Sequence, residues 1–129
     1  MARICCLVAI EPEDVARLIA ALKGAGEPVF AILTHLDVAE QGSLASDVLV
    51  ADVDALEVDA LETVRRLRFV LPDCVLAIFT SRTTTAWGRA CHLAGANCLL
   101  SKDSSESELA SGLRRAIRGG CYTDPRFAA

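Results

Sequence analysis

Asp47-Val48-Leu49-Val50-Ala51-Asp52-Val53 is the stretch on which the fold turns. Four aliphatic residues run unbroken between two acids. Such a run fits a strand covered on both faces, as in a parallel sheet, and lacks the polar alternation of a half-solvated strand. Its closing residue, Asp52, therefore stands at the carboxyl end of a buried strand.

The same short apolar run recurs on either side, alternating with amphipathic helical patterns. Strands are predicted at Ile4–Val8, Val29–Leu33, Val48–Ala51, Cys74–Phe79 and Cys98–Leu100. A helix opens at Pro12, a residue suited to a first turn, with Glu13 and Asp14 favourable beside its N-terminus. Val15, Leu18, Ile19 and Leu22 give it an apolar stripe, and Gly24 and Gly26 end it. A weaker helical pattern covers 36–45, where Gly42 and Ser43 lower the propensity. A loop over Val53–Val58 leads to Asp59, read as the N-cap of a helix buried through Leu61, Val64 and Leu67. A helix over 84–94 is expected to be the least regular element, because three Thr precede Trp87 and Gly88. Ser105 with Glu108 forms a capping box for the last helix, which Gly119-Gly120 stops. Five β-α units of this kind imply a parallel sheet with helices on both faces.

The chain has 129 residues, of which 53% are hydrophobic, 5% aromatic and 23% charged. This suits one ordered domain whose core is built from Ala, Val, Leu and Ile. A formal net charge of −4 argues against direct nucleic-acid binding, which rests on clustered Lys and Arg. Arg65-Arg66-Leu67-Arg68 and Arg114-Arg115-Ala116-Ile117-Arg118 fall within helical patterns and read as solvated faces. The six cysteines contain no C-x-x-C pair and mostly sit in apolar runs, so they read as buried thiols. Cys91 and His92 point in different directions on a helix, which disfavours a metal site shared with Cys98. No run approaches the roughly 20 apolar residues that span a bilayer, and no signal peptide stands out. A cytoplasmic location with no membrane partner is the expectation.

Functional crevices of open α/β sheets lie beyond the carboxyl ends of the strands. Those ends here carry Ala9, Ile10 and Glu11, then Asp52, Thr80 and Lys102. Singly, each of the last three has a plain structural reading: a turn acid, a β-branched strand end, a solvated lysine. Together they provide a carboxylate nucleophile, a hydroxyl donor and an ammonium able to neutralise phosphoryl oxygens. Ile10-Glu11-Pro12-Glu13 occupies the place of a glycine-rich phosphate loop, which disfavours a mononucleotide-binding domain or enzyme of flavodoxin-like fold.

Over nearly its whole length the chain resembles the receiver domain of two-component response regulators. The matching segments are Asp47–Val53, then Leu61–Arg68 with Leu71-Pro72-Asp73-Cys74-Val75-Leu76-Ala77-Ile78-Phe79-Thr80, and Ala94-Gly95-Ala96-Asn97-Cys98-Leu99-Leu100-Ser101-Lys102-Asp103. The resemblance implies a flavodoxin-like (CheY-like) α/β fold with a five-stranded parallel sheet of order 2-1-3-4-5. It implies Asp52 as phosphoacceptor and Thr80 and Lys102 as switch and phosphate-binding residues, in a regulatory domain rather than an enzyme. Lys102-Asp103 and the ending Ala116–Phe127 resemble the LuxR-type (NarL/FixJ) transcription regulators. In that subfamily a receiver over 1–120 is followed, from 121–129, by a linker to a helix-turn-helix domain, here outside the chain. The implied partners are a sensor histidine kinase or another regulatory protein, a second copy in a homodimer, and DNA only through the absent domain. The implied dimer surface uses the helix over 84–94, the strand 98–100 and the last helix, or the first and last helices. An exposed Trp87 would support it.

The departures from the family pattern are specific. The acidic pair falls on Ala9 and Ile10, leaving Glu11 and Asp52 as the most that could hold a metal, so Mg2+ is disfavoured and no cofactor is expected. Ala55-Leu56 replaces Met-Pro, Ala60 replaces Gly, and the aromatic switch position is Leu99. These imply an atypical receiver, Mg2+-independent and weakly phosphorylated or not at all. The alternative is a working Asp52 acceptor that uses Glu11 or Asp54 as substitute acid. A fixed Lys102–Asp52 ion pair with an apolar Ile10 over the crevice would fit the first reading.

Overall fold

A computed structural model describes residues 5–33, 46–54 and 60–128. Its elements are β1 (Cys5–Val8), α1 (Pro12–Gly24), β2 (Val29–Leu33), β3 (Val48–Ala51), α2 (Ala60–Val70), β4 (Val75–Thr80), α3 (Thr85–Ala94), β5 (Cys98–Ser101), α4 (Glu106–Gly119) and β6 (Tyr122–Thr123), followed by a 3-10 turn over Pro125–Ala128. The helical pattern at 36–45, Ala55-Leu56 and the Asp59 cap lie outside the described residues.

All pairings are parallel, in the order β2-β1-β3-β4-β5-β6. The expected order 2-1-3-4-5 holds, with one short strand added at its β5 edge. Because successive side chains of a strand point to opposite faces, each unbroken apolar run supplies two cores at once. Cys6, Val8, Leu49, Ala51, Leu76, Ile78 and Leu99 face α2 and α3, meeting Val64, Leu67, Trp87 and Cys91. Cys5, Leu7, Val48, Val50, Ala77, Phe79 and Leu100 face α1 and α4, meeting Leu18, Leu22, Leu109 and Leu113. This two-sided demand explains why the central strands contain no alternating polar residue.

The start and stop signals act where they were read. Pro12 opens α1, and Ser105 and Glu108 close a reciprocal capping box on α4, whose end at Gly120 has φ 88°. The helix at 84–94 departs from expectation. It is regular, because Thr84 serves as its N-cap, its hydroxyl accepting from the Trp87 N–H at 3.1 Å, and Gly95 caps its end at φ 124°. The threonine run is thus a cap and not a weak helix interior.

The segment after Gly120, expected to open a linker, instead packs back on the domain. Tyr122 N–H donates to Asn97 O at 2.9 Å and Asp124 N–H to Leu99 O at 3.0 Å, extending the sheet. Phe127 is buried in the core of the α2/α3 face. Two glycines make room for the two rings: a Cβ on Gly112 would lie 2.5 Å from the Tyr122 ring, and one on Gly88 would lie 2.9 Å from Phe127. Asp124, also buried, accepts from Ser104 Oγ at 2.7 Å, and Arg126 ties it to Glu108.

The basic stretches are solvated only in part. Arg65 and Arg66 are exposed, whereas Arg68 donates to the carbonyls of Gly95, Leu71, Pro72 and Cys74. Arg114 donates to Gly24 O at the end of α1.

Candidate functional site

The parallel register carries Asp52, Thr80 and Lys102 to one edge of the sheet. Asp52 N–H donates to Val8 O at 3.2 Å, and Lys102 N–H donates to Thr80 O at 3.0 Å, so pairing runs on to the residues of interest. Asp52 and Thr80 are buried. The Lys102 ammonium reaches Asp52 Oδ2 at 2.7 Å, with Asp52 3% and Lys102 22% exposed. The Lys102–Asp52 contact that would fit an atypical site is present, a pairing the sequence itself left open.

The ammonium also reaches Asp54 Oδ2 at 3.1 Å. Asp54 is the participant whose orientation the sequence did not disclose. Its backbone N–H donates to Asp52 Oδ1 at 2.9 Å, curling the chain back after the strand. Its side chain then accepts from Thr80 Oγ1 at 2.6 Å and from the Ser81 N–H and hydroxyl at 2.8 and 2.9 Å. Thr80 Oγ1 accepts in turn from the Arg82 N–H at 3.0 Å. Burial opposes the charge on Asp54, but the hydrogen bonds from Thr80, Ser81 and Lys102 prevail and hold its pKa below the usual carboxylate range. Burial likewise opposes the Lys102 charge, and its bonds to the two carboxylates raise its pKa regardless.

Two further residues steady this arrangement. Arg17, on α1, donates to Ser104 O at 2.7 Å and to Lys102 O at 3.0 Å, and pairs with Asp14 at 2.9 Å. It clamps the backbone that carries the lysine, and a lone arginine on a helical pattern gave no sign of that role. Arg82 lays its guanidinium 3.9 Å from the centroid of the Trp87 ring. Trp87 is buried, so it gives no support to the implied dimer surface.

The positions read as a missing acid pair contribute no side-chain oxygen. Ala9 sits in the left-handed region at φ 58° and packs toward the α2/α3 core, while Ile10 is half-buried against the α1/α4 core. Glu11 is exposed and makes no side-chain cap bond on α1. Mg2+ takes near-octahedral oxygen ligands. Both oxygens of Asp52 and both of Asp54 are already engaged, and no group of three or more His, Cys, Asp and Glu among the described residues could hold a metal ion. This donor set does not fit that ion. Leu99, fully buried on β5, fills the expected place of an aromatic switch; a Cβ on Gly88 would lie 3.3 Å from its methyl.

The fold as a whole superposes on solved structures. The isolated receiver domain of RcsB from Salmonella enterica serovar Typhimurium, in the presence of the phosphomimetic BeF3–, superposes with a TM-score of 0.79 over 99% of this chain and 97% of its own, at 14% identity. The chain has the fold of response-regulator receiver domains. A LuxR-family two-component response regulator from an Aurantimonas species shares this receiver fold, with a TM-score of 0.77 at 21% identity over 96% of this chain and 90% of its own. In sequence, the methanol utilization control regulatory protein MoxX of Paracoccus denitrificans is 31% identical over 84 residues, covering 64% of this chain. The chain spans 38% of the length of that relative. No family model matches the sequence. Among the described residues no helix is long and apolar enough to cross a membrane.

Proposed function

We propose that this chain is the receiver, or signal-input, domain of a LuxR-type two-component response regulator, acting through protein contacts on a DNA-binding domain outside the chain. Its site works without Mg2+ and takes little or no phosphoryl group on Asp52. The observation that carries this reading is the closed cluster at the strand ends. Lys102 sits 2.7 Å from Asp52, whose other oxygen is held by the Asp54 N–H. Both oxygens of this nucleophile are engaged, one by an ammonium and one by an amide, and neither Ala9 nor Ile10 offers a side-chain oxygen for the divalent ion that helps neutralise an incoming phosphoryl group. The likeness to MoxX, a control regulatory protein, and to the receiver folds above supports the domain's place in signalling. The partners that follow are a sensor histidine kinase or another regulatory protein, and a second copy of the chain. Leu93, 82% exposed on α3, is an apolar residue available to such a dimer surface.

The test is incubation with acetyl phosphate, with and without millimolar Mg2+, read by intact mass and by amide signals of Asp52, Thr80 and Lys102. Mass and signals are expected to stay unchanged. Mg2+-dependent phosphate on Asp52 would overturn the reading and establish a working acceptor assisted by Glu11 or Asp54.

A further inference from the structure

An acyl phosphate formed on Asp52 Oδ2 would stand beside the Lys102 ammonium, 2.7 Å from that oxygen, and Lys102 shares a carboxylate with Thr80 and Ser81 at the neighbouring strand end. Charge neutralisation and positioning are what such a group requires of its pocket. In this structure those same donors already have an anion. Thr80 Oγ1, Ser81 N, Ser81 Oγ and Lys102 Nζ converge on the two oxygens of Asp54 at 2.6, 2.8, 2.9 and 3.1 Å. Asp54 comes from the loop after β3, and Thr80 and Ser81 from the end of β4, so the contact bridges 26 and 27 residues of chain.

We propose that Asp54 is the resident ligand of this oxyanion pocket. Its carboxylate holds Thr80, Ser81 and Lys102 in the arrangement an aspartyl phosphate would otherwise impose. The domain is thereby fixed in one signalling state without phosphorylation. The signalling half of this statement rests on the receiver reading; the occupancy of the pocket does not.

Three features favour a held ligand over an incidental loop contact. Asp54 is anchored at both ends, with its N–H on Asp52 and its carboxylate on β4 and β5 residues. Charge-assisted bonds from a hydroxyl, an amide and an ammonium are the strong kind, and a carboxylate offers two oxygens in the geometry of two of the three phosphoryl oxygens. On the far side of Thr80 the sheet is closed as well. Leu99 is buried beneath α3, where an aromatic ring would need room to swing, and even a Cβ at Gly88 would lie only 3.3 Å from its methyl.

The test compares amide and Thr80 methyl signals in wild type, Asp54→Ala, Asp54→Asn and Asp52→Asn. Removal of the Asp54 carboxylate is expected to move the Ser81 amide proton upfield, to shift Thr80, and to perturb residues 85–94. Asp54→Asn preserves the volume and one acceptor, and covers the case in which Asp54→Ala does not fold; it is expected to move the same signals part of the way. Asp52→Asn is expected to leave Ser81 and Thr80 near their wild-type positions. Unmoved Ser81 and Thr80 signals in both Asp54 variants would overturn the proposal. So would Asp52→Asn moving them as far as the Asp54 variants do. Failure of the receiver reading shows elsewhere, as Mg2+-dependent phosphate on wild-type Asp52, and leaves this comparison intact.

Discussion

Lys102 and Asp52 form an ion pair of 2.7 Å that joins the end of β5 to the end of β3 across the intervening β4. The pair is asymmetric, because Lys102 has a second carboxylate 3.1 Å away whereas the other oxygen of Asp52 accepts from the Asp54 N–H.

That asymmetry predicts unequal costs. Lys102→Ala leaves two close carboxylates facing each other and should cost about 3 kcal/mol, as for a buried pair that loses one member. Asp52→Asn leaves Lys102 paired with Asp54 and should cost about 1 kcal/mol, the worth of one hydrogen bond. Urea unfolding of both variants measures the difference. Equal losses would show that Asp54 does not share the ammonium.

The pH dependence follows from Asp54 and Lys102. The folded pKa of Asp54 is lowered, so its stabilisation is fully present above the unfolded value of about 3.9 and is lost as pH falls through the folded one. Lys102 is raised, so its share is present below about 10.4 and disappears as pH rises through the folded value. The urea midpoint should therefore hold steady near neutrality with respect to these two groups. Asp54→Asn should lie below wild type there, with the gap closing as the solution becomes strongly acidic.

The docked tail makes a contrary prediction about helix propensity. Gly112→Ala in α4 would gain about 1 kcal/mol in a free helix, but here the new methyl meets the Tyr122 ring. A net loss of about 1–3 kcal/mol is expected from overpacking. Tyr122→Ala in the same chain should restore most of it, which a double-mutant cycle by thermal unfolding would read. A Gly112→Ala protein more stable than wild type would show that the ring is not seated there.

Thiol chemistry should separate one cysteine from five. Cys121 is exposed, while Cys5, Cys6, Cys74, Cys91 and Cys98 are buried. Burial pushes Cys74 up to about 12 and Cys91 up to about 11, and raises Cys98 as well. The thiolate is the reactive form. An aromatic disulfide reagent at pH 8 should therefore modify one equivalent of native protein rapidly, and all six only on unfolding. Rapid reaction of a second thiol would contradict the burial of the central strands.

Much of the sheet was legible because a parallel strand leaves an unmistakable trace. Val48–Ala51 and Val29–Leu33 have the bounds their apolar runs indicate. Asp52, Thr80 and Lys102 were legible for the related reason that register fixes what stands at a strand end. Long-range complementarity was not legible. Gly88 reads as a poor helix residue until Phe127, 39 positions on, is seen against it, and Tyr122 and Gly112 hide each other in the same way. Asp54 offered a weaker signal, an acid two residues past Asp52, but its partners Thr80 and Ser81 lie on another strand's end. The cap at Thr84 was not legible from average helix propensity, which counts a threonine the same at a helix end as in its interior.

The seating of the tail on two glycines has a consequence for how this sequence can drift. A side chain at position 88 or 112 is admissible only if position 127 or 122 shrinks in step. Each glycine and its ring therefore behave as a single inherited character. Among close homologues, a larger residue at 112 should arrive with a smaller one at 122, and the same trade should link 88 to 127. Lineages that lose both rings should be the ones in which those two helices recover alanine.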